Sequence, residues 1–217
     1  MFRPLWKLRD FLATPRYRPE KYWKARHTKY VFDLRGVGNK TLSHEENLRD
    51  YLKAKQVFLD LCVRQRIDFR TARILDIGCG TGFYAGVILE KGAKHYTGVD
   101  IVDELFPTLR KNFADFEFIK LDISRQKLKG EFDLIIMIDV TQHIIRNRRF
   151  KFAMQNVRSH LAESGVFIVT SRLTEKLVHR TYYAISRPMS YFEREFRDYH
   201  FTDPIPFRDK FIFAISK

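Results

Sequence analysis

The nine residues Ile74-Leu75-Asp76-Ile77-Gly78-Cys79-Gly80-Thr81-Gly82 constrain the fold of this chain more than any other stretch. Strand-forming residues surround the acid Asp76, and Gly78, Gly80 and Gly82 then alternate with small residues. A helical pattern follows at once, with Phe83, Val87 and Ile88 on one face and Glu90-Lys91-Gly92 closing it. Strand, tight glycine turn and helix N-terminus form a unit in which a ligand can approach bare backbone. A nucleotide-like ligand is the expectation.

Two glycine registers compete. Gly80-x-Gly82-x-x-Ala85 satisfies the dinucleotide fingerprint. That register needs the strand to run straight into Gly80, whereas Asp76 and Gly78 already interrupt it. The other register, an acid followed by Gly-x-Gly-x-Gly, resembles motif I of the class I S-adenosylmethionine-dependent methyltransferases, and Asp76, Gly78, Gly80 and Gly82 fill all its positions. A carboxylate at a strand end suits a ligand bearing an ammonium and a sulfonium better than one bearing a pyrophosphate.

The following segments agree with the second register. His95-Tyr96-Thr97-Gly98-Val99-Asp100 reads as a strand ending in an acid 24 positions after Asp76 (100 − 76). A carboxylate there can accept both ribose hydroxyls. Residues 116–122 alternate as a third strand ending in Asp122, and 132–139 form an apolar fourth ending in Asp139, as expected of a strand buried on both faces. Each acid alone could simply cap the next turn. Asp76, Asp100, Asp122 and Asp139 in this order instead mark one carboxyl edge, where ligands bind in open α/β sheets. The resemblance covers about residues 70 to 171 and implies an S-adenosylmethionine site. Its residues would be Asp76, Gly78, Cys79, Gly80 and Gly82, then Asp100-Ile101, Asp122-Ile123 and Asp139-Val140. In that family an acid at the place of Asp122 hydrogen-bonds the adenine amino group.

The C-terminal third completes an α/β fold. Asn156, Val157, Leu161 and Ala162 are assigned to a helix after Arg149, and 165–171 to a fifth strand. Residues 172–187 are basic and rich in aromatic and β-branched side chains, as an insert over the substrate side would be. Ser190-x-x-Glu193 is expected to open a short helix, and 199–201 and 210–215 to close the sheet as antiparallel strands, with Pro204 and Pro206 between them. The expected fold is a seven-stranded, mostly parallel sheet with helices on both faces, a C-terminal antiparallel hairpin and a basic N-terminal helical extension. Residues 1–69 would be that extension and 70–217 the core, together one structural domain of a 217-residue chain.

Up to Lys40 the chain is basic and aromatic, with Trp6, Tyr17, Tyr22, Trp23, Tyr30 and Phe32 threaded among lysines and arginines. Ser43-His44-Glu45-Glu46 forms a capping box, and Leu48, Tyr51, Leu52, Val57, Phe58, Leu61 and Cys62 then recur at helical spacing. The two cysteines, Cys62 and Cys79, suggest neither a disulfide framework nor a metal site. No apolar run reaches transmembrane length, and charges interrupt the N-terminal apolar residues, so a cytoplasmic setting, with peripheral membrane contact through the basic N-terminus, is expected.

Methyl transfer asks mainly for positioning, because the cofactor brings the activated group. An oxygen acceptor also needs its proton removed. The loop Asp139-Val140-Thr141-Gln142-His143-Ile144 is where a base would stand, and His143 is the only histidine this reading puts at the carboxyl edge. It resembles the histidine after strand four of many small-molecule O-methyltransferases, and Asp139 is paired with it as a catalytic candidate. The plainer explanation is a histidine that shapes its loop. Asn47 and Tyr51, four apart on the capped helix, and Gln142 are candidate substrate contacts. The loop lacks the Asn/Asp-Pro-Pro-aromatic pattern of enzymes that methylate base amines, and no cysteine follows Cys79 to serve a cytosine C5 reaction. The net charge of +14 nevertheless keeps RNA or an anionic membrane in play beside a small-molecule, glycan or lipid-linked acceptor. A non-catalytic cofactor-binding regulator is the remaining alternative.

Overall fold

The computed structural model describes residues 17–217, so Trp6 and the basic residues of the first sixteen positions lie outside the described residues. Helix α1 (Pro19–Tyr30) and a 3₁₀ turn (Leu34–Gly36) precede the long helix α2 (His44–Arg64). The capping box is complete: Glu46 N–H donates to Ser43 Oγ at 3.1 Å, and Ser43 N–H donates to Glu46 Oε2 at 2.7 Å. Tyr51, Phe58, Leu61 and Cys62 of α2 are buried, whereas Leu52 is 50% exposed and lies off the packing stripe.

The core strands are β1 (Arg73–Ile77), β2 (His95–Asp100), β3 (Glu117–Lys120), β4 (Phe132–Met137) and β5 (Leu161–Ser171). They are crossed by α3 (Phe83–Leu89), α4 (Phe106–Asn112) and α5 (Asn147–His160). A hairpin, β6 (Val178–Thr181) and β7 (Ala184–Ser186), leads to the four-residue helix α6 (Ser190–Glu193). The strands β8 (His200–Phe201), β9 (Ile205–Phe207) and β10 (Lys210–Ser216) close the sheet.

The sheet order is β3-β2-β1-β4-β5-β10-β8, parallel as far as β5 and antiparallel beyond. It holds eight strands rather than the expected seven, because β9 also pairs with β10. Both short strands use the edge of β10 that faces away from β5. Pro204, which cannot donate to a ladder, lies in the break between them. The successive apolar residues of β1 alternate between faces. Ile74 joins a cluster with Phe58, Leu61 and Ile88, whereas Leu75 and Ile77 join Phe150, Met154 and Phe167. Helices α2–α4 thus cover one face, and α5 and α6 cover the other.

Several boundaries move. Leu161 and Ala162 belong to β5, because Leu161 pairs with Phe132 across a register shift, and α5 begins at Asn147 rather than after Arg149. Strand β3 stops at Lys120, short of Asp122. Ser190 caps nothing with its side chain and is itself the first residue of α6. Apolar content places these segments, but partners across the sheet decide where their ladders begin and end.

Removing the Ser43 hydroxyl leaves an orphan N–H at the start of α2. Ser43→Ala should cost about 1 kcal/mol, read as a lower urea midpoint with an unchanged slope.

Candidate active site

The carboxyl ends of β1–β4, the turn after β4 and helix α1 enclose a cavity of about 1180 Å³. Pockets for single drug-sized ligands run to roughly 300–1,000 Å³, so this one has room for two bound molecules. Helix α1 forms its lid. Glu20 pairs with Lys120 at 3.1 Å and Lys24 with Glu104 at 3.1 Å, which ties α1 to the sheet edge. Arg26 donates to the Gly38 carbonyl at 3.0 Å and to that of Arg35, holding the 3₁₀ turn against the same helix.

The glycine loop forms the floor, through Gly78, Cys79, Gly80 and Thr81. Gly78 has φ 81°, and a Cβ there would stand 2.3 Å from Val140 Cγ2, so only glycine lets the loops after β1 and β4 touch. Gly80 packs against Val37 of the lid segment in the same manner. Gly82, at φ 77°, does not line the cavity; it starts α3 beside Leu109. Burial pushes the Cys79 thiol well up, so it remains a neutral packing group.

The four acids have separate fates. Asp76 is one residue short of the end of β1 and shares a face with Ile74, so its carboxylate turns into the core instead of the cavity. There it accepts a 2.7 Å hydrogen bond from the Tyr96 hydroxyl, and burial raises its pKa to about 7. Asp100 does line the cavity. It accepts from the N–H groups of Gly80 and Val102, each at 3.1 Å, and keeps lone pairs for a diol. Burial raises its pKa, an effect opposed by nearby His27. Asp122 lines the cavity with Ile123, but its Oδ1 accepts from Ser124 N–H at 2.9 Å and Oγ at 2.6 Å, and Arg125 pairs with its other oxygen. Asp139 has φ 63°, tolerated by aspartate, and pairs with Arg208 and, at 2.8 Å, with Lys210. Desolvation and the neighbouring Arg208 hold Lys210 down to about 8. Ile101 and Val140 complete the apolar lining at these strand ends.

His143 ends a 3₁₀ turn (Thr141–His143) and lines the cavity. Its Nδ1 lies 3.0 Å from the Tyr183 carbonyl, which can only accept, so Nδ1 carries the proton and Nε2 keeps its lone pair. Desolvation lowers its pKa to about 4, which leaves the imidazole neutral at physiological pH. Trp23 of the lid meets the ring edge-to-face at 4.9 Å, and Tyr183 stacks on it at 5.8 Å. Buried Arg187 secures the turn from beneath, donating to the Thr141 carbonyl at 3.0 Å and to that of Ile144, with Phe150 under its guanidinium at 4.2 Å.

Of the proposed substrate contacts, only Tyr51 lines the cavity. It lies under the Arg208 guanidinium at 4.4 Å and against Phe83. The buried Asn47 amide accepts from Asn39 N–H at 2.8 Å and donates to the Asn39 and Ser43 carbonyls, so it shapes the loop before α2. The Gln142 amide folds back to donate to the Asp139 carbonyl at 2.9 Å. His27 is a second histidine at the carboxyl edge, contrary to the sequence expectation of His143 alone. It is buried on α1 and lines the cavity, and desolvation lowers its pKa. The i, i+4 spacing of Trp23 and His27 could have flagged that face of α1. Nothing local marks Arg187, Arg208 or Lys210.

A parallel sheet entered by an acid–glycine loop and closed by an antiparallel strand between β5 and the edge defines the Rossmann-like methyltransferase architecture. A dehydrogenase sheet would have continued in parallel. Residues 74–165 match the methyltransferase domain family. A solved Burkholderia thailandensis 1,6-didemethyltoxoflavin-N1-methyltransferase, with bound 1,6-didemethyltoxoflavin and S-adenosylhomocysteine, superposes with a TM-score of 0.66 at 16% identity, covering 94% of this chain and 92% of that one. Residues 74–165 thus carry a methyltransferase domain, and the chain shares the fold of solved S-adenosylmethionine-dependent methyltransferases. Among curated proteins it is similar to a ubiquinone biosynthesis O-methyltransferase of Neisseria meningitidis serogroup C, 29% identical over 84 residues, or 36% of this chain and 35% of the relative. It is also similar to a malonyl-[acyl-carrier protein] O-methyltransferase of Acetivibrio thermocellus, 35% identical over 81 residues, or 36% of this chain and 27% of the relative. The chain therefore spans about a third of the length of the curated relatives it matches.

His143 and Asp76 act on acid stability with opposite sign. A histidine lowered from 6.5 to about 4 takes up its proton more readily unfolded, so its contribution is lost as pH falls through that window. An aspartate raised from 3.8 to about 7 holds its proton more tightly when folded, so its contribution is lost as pH rises through 3.8 to 7. Between pH 6.5 and 4, urea titrations should show a shallower acid loss for His143→Gln than for wild type, and a steeper one for Asp76→Asn.

Proposed function

We propose that this chain transfers the methyl group of S-adenosylmethionine to an oxygen of a small molecule, sugar or lipid-linked precursor. Residues 1–69 would serve as the lid-bearing extension and 70–217 as the cofactor-binding core. The observation that carries the reading is His143: a neutral imidazole with its Nδ1 proton engaged and its Nε2 free, in the wall of a cavity that also holds Asp100 and the glycine loop. The residues present fit the cofactor. Asp100 retains acceptors for the ribose hydroxyls, Ile101, Ile123 and Val140 offer apolar surface to adenine, and the loop exposes backbone. Asp122 would meet the adenine amino group only through what Ser124 and Arg125 leave free. When bound, S-adenosylmethionine supplies a methyl carbon whose bond to sulfur breaks as the acceptor oxygen attacks.

The residues of the chain then position the acceptor and receive its proton. His143 Nε2 accepts the hydroxyl proton while the oxygen–carbon bond forms, when the hydroxyl is most acidic. A base held near 4 is weak, so orientation by the lid and by the turn after β4 contributes much of the rate. Asp139 acts with Arg208 and Lys210 to fix that turn, and Gln142 supports it from within. The oxygen acceptors named for the two curated relatives favour this chemistry. RNA is the second reading, favoured by the net charge of +14. Among the described residues no helix is long and apolar enough to cross a membrane.

S-adenosylhomocysteine at a hundredfold its Kd should add about 2.7 kcal/mol of stability, a rise of roughly 5–10 °C in Tm. Asp100→Ala should lose most of that rise, and stabilisation by NAD instead would refute the cofactor. His143→Gln should lower turnover roughly 10²–10⁴-fold with S-adenosylhomocysteine affinity retained. The acid limb of wild-type kcat/KM should lie near pH 4 rather than 6.5. Near-normal turnover in the variant would leave positioning as the whole mechanism.

A further inference from the structure

Cations outnumber acids in the cavity lining. The acids are Glu20 on α1 and Asp100, Asp122 and Asp139 at or just beyond the strand ends, against seven lysines and arginines on and beside α1 and around the ends of β3 and β4. Lys24 pairs with Glu104, Lys120 with Glu20 and Asp103, and Arg125 with Asp122. Arg18, Lys21, Arg146 and Arg149 line the same cavity and have no carboxylate partner among the described residues. Among the described residues the Arg149 side chain bonds only the Ser124 carbonyl, at 3.2 Å. The first sixteen residues contain a single acid, Asp10, which is too few to neutralise four cations.

The proposed cofactor does not explain these residues. With an ammonium, a sulfonium and one carboxylate it carries net positive charge, so uncompensated cations on the rim oppose its binding. They need an anion brought by the second occupant of the cavity. Four cations exceed what one carboxylate balances, and three of them are arginines, whose planar forks match phosphate oxygens in pairs. Trp23 and Tyr17 on the lid, and His143 opposite, give that occupant a flat aromatic wall.

We propose that the methyl acceptor is a phosphorylated molecule, its phosphoryl groups held by Arg18, Lys21, Arg146 and Arg149 while its hydroxyl reaches His143. This rests on the methyltransferase reading above. A soluble sugar phosphate or nucleotide and a lipid-linked diphosphate present the same chemistry. The lid is open to either, because Arg18, Lys21 and Arg146 are exposed at the cavity mouth.

The test uses the full chain saturated with S-adenosylhomocysteine, titrated calorimetrically with pyrophosphate, farnesyl diphosphate and a 20-nucleotide RNA at fixed ionic strength. Failure to bind S-adenosylhomocysteine at all would remove the cofactor reading without touching the anion site. With it bound, pyrophosphate should bind at least tenfold more tightly than sulfate. The double variant Arg18→Gln/Arg146→Gln should weaken pyrophosphate at least tenfold and leave S-adenosylhomocysteine affinity unchanged. Arg148→Gln, an exposed neighbour that does not line the cavity, should change neither. A gain of tenfold or more for farnesyl diphosphate over pyrophosphate assigns the acceptor to a lipid-linked source, and equal affinities assign it to a soluble one. Pyrophosphate no tighter than sulfate, or insensitive to the double variant, overturns the proposal. So does RNA binding more tightly than either diphosphate and lost in the same variant.

Discussion

The contact of Val140 with the backbone at Gly78 is the constraint on which the cavity depends. A glycine at φ 81° lets the turn after β4 reach the floor laid by the loop after β1. Any side chain there would separate the two strand ends, and Asp139, Val140 and His143 would move away from Asp100 with them. The sheet brings the strand ends level, because Ile77 pairs with Val99 and Asp76 with Ile136. The loops that follow can then meet only where backbone is bare. Val37 on Gly80 repeats the device between the lid and the floor.

Around this floor, charge is arranged by depth. The buried Asp76 and Asp100 and the half-buried Asp139 have protein partners: Tyr96 for Asp76, backbone N–H groups for Asp100, and Arg208 with Lys210 for Asp139. Burying an ionised carboxylate without such partners is costly, so the strand ends carry fewer free acids than their number suggests. The cavity-lining cations left without carboxylates, apart from the half-buried Arg149, are those near water, where an uncompensated charge is cheap until a ligand arrives. Asp100 is the buried acid that both lines the cavity and retains unused lone pairs.

The turn carrying His143 is held from three directions: Arg187 beneath it, the hairpin through the Tyr183 carbonyl, and the lid through Trp23. Arg187 and the hairpin belong to one segment of the chain and Trp23 to another far before it, and the Tyr183 carbonyl sets the tautomer of the imidazole. The hairpin of residues 178–186, visible in sequence only as a basic aromatic insert, thus contributes a carbonyl more than a side chain. Tyr22, Tyr182 and Tyr183 pack together at its tip and join the hairpin to α1.

The sequence alone determined the class of fold and the place of the site. Period-two and apolar strands, the acid–glycine loop, and an acid at successive strand ends are local patterns, dictated by backbone sterics and by burial on two faces. The capping box and the buried stripe of α2 were legible for the same reason. Tertiary structure decided which of those acids face the cavity, because strand parity turns Asp76 toward Tyr96 and a turn re-aims Asp122. It also decided that Asn47 and Gln142 brace loops, that His27 reaches the carboxyl edge on the lid, and that Arg187, Arg208 and Lys210 secure the turn after β4. Such partners lie tens of residues apart in the chain. Only packing of the sheet, hairpin and lid brings them together, and no spacing along one segment encodes that meeting.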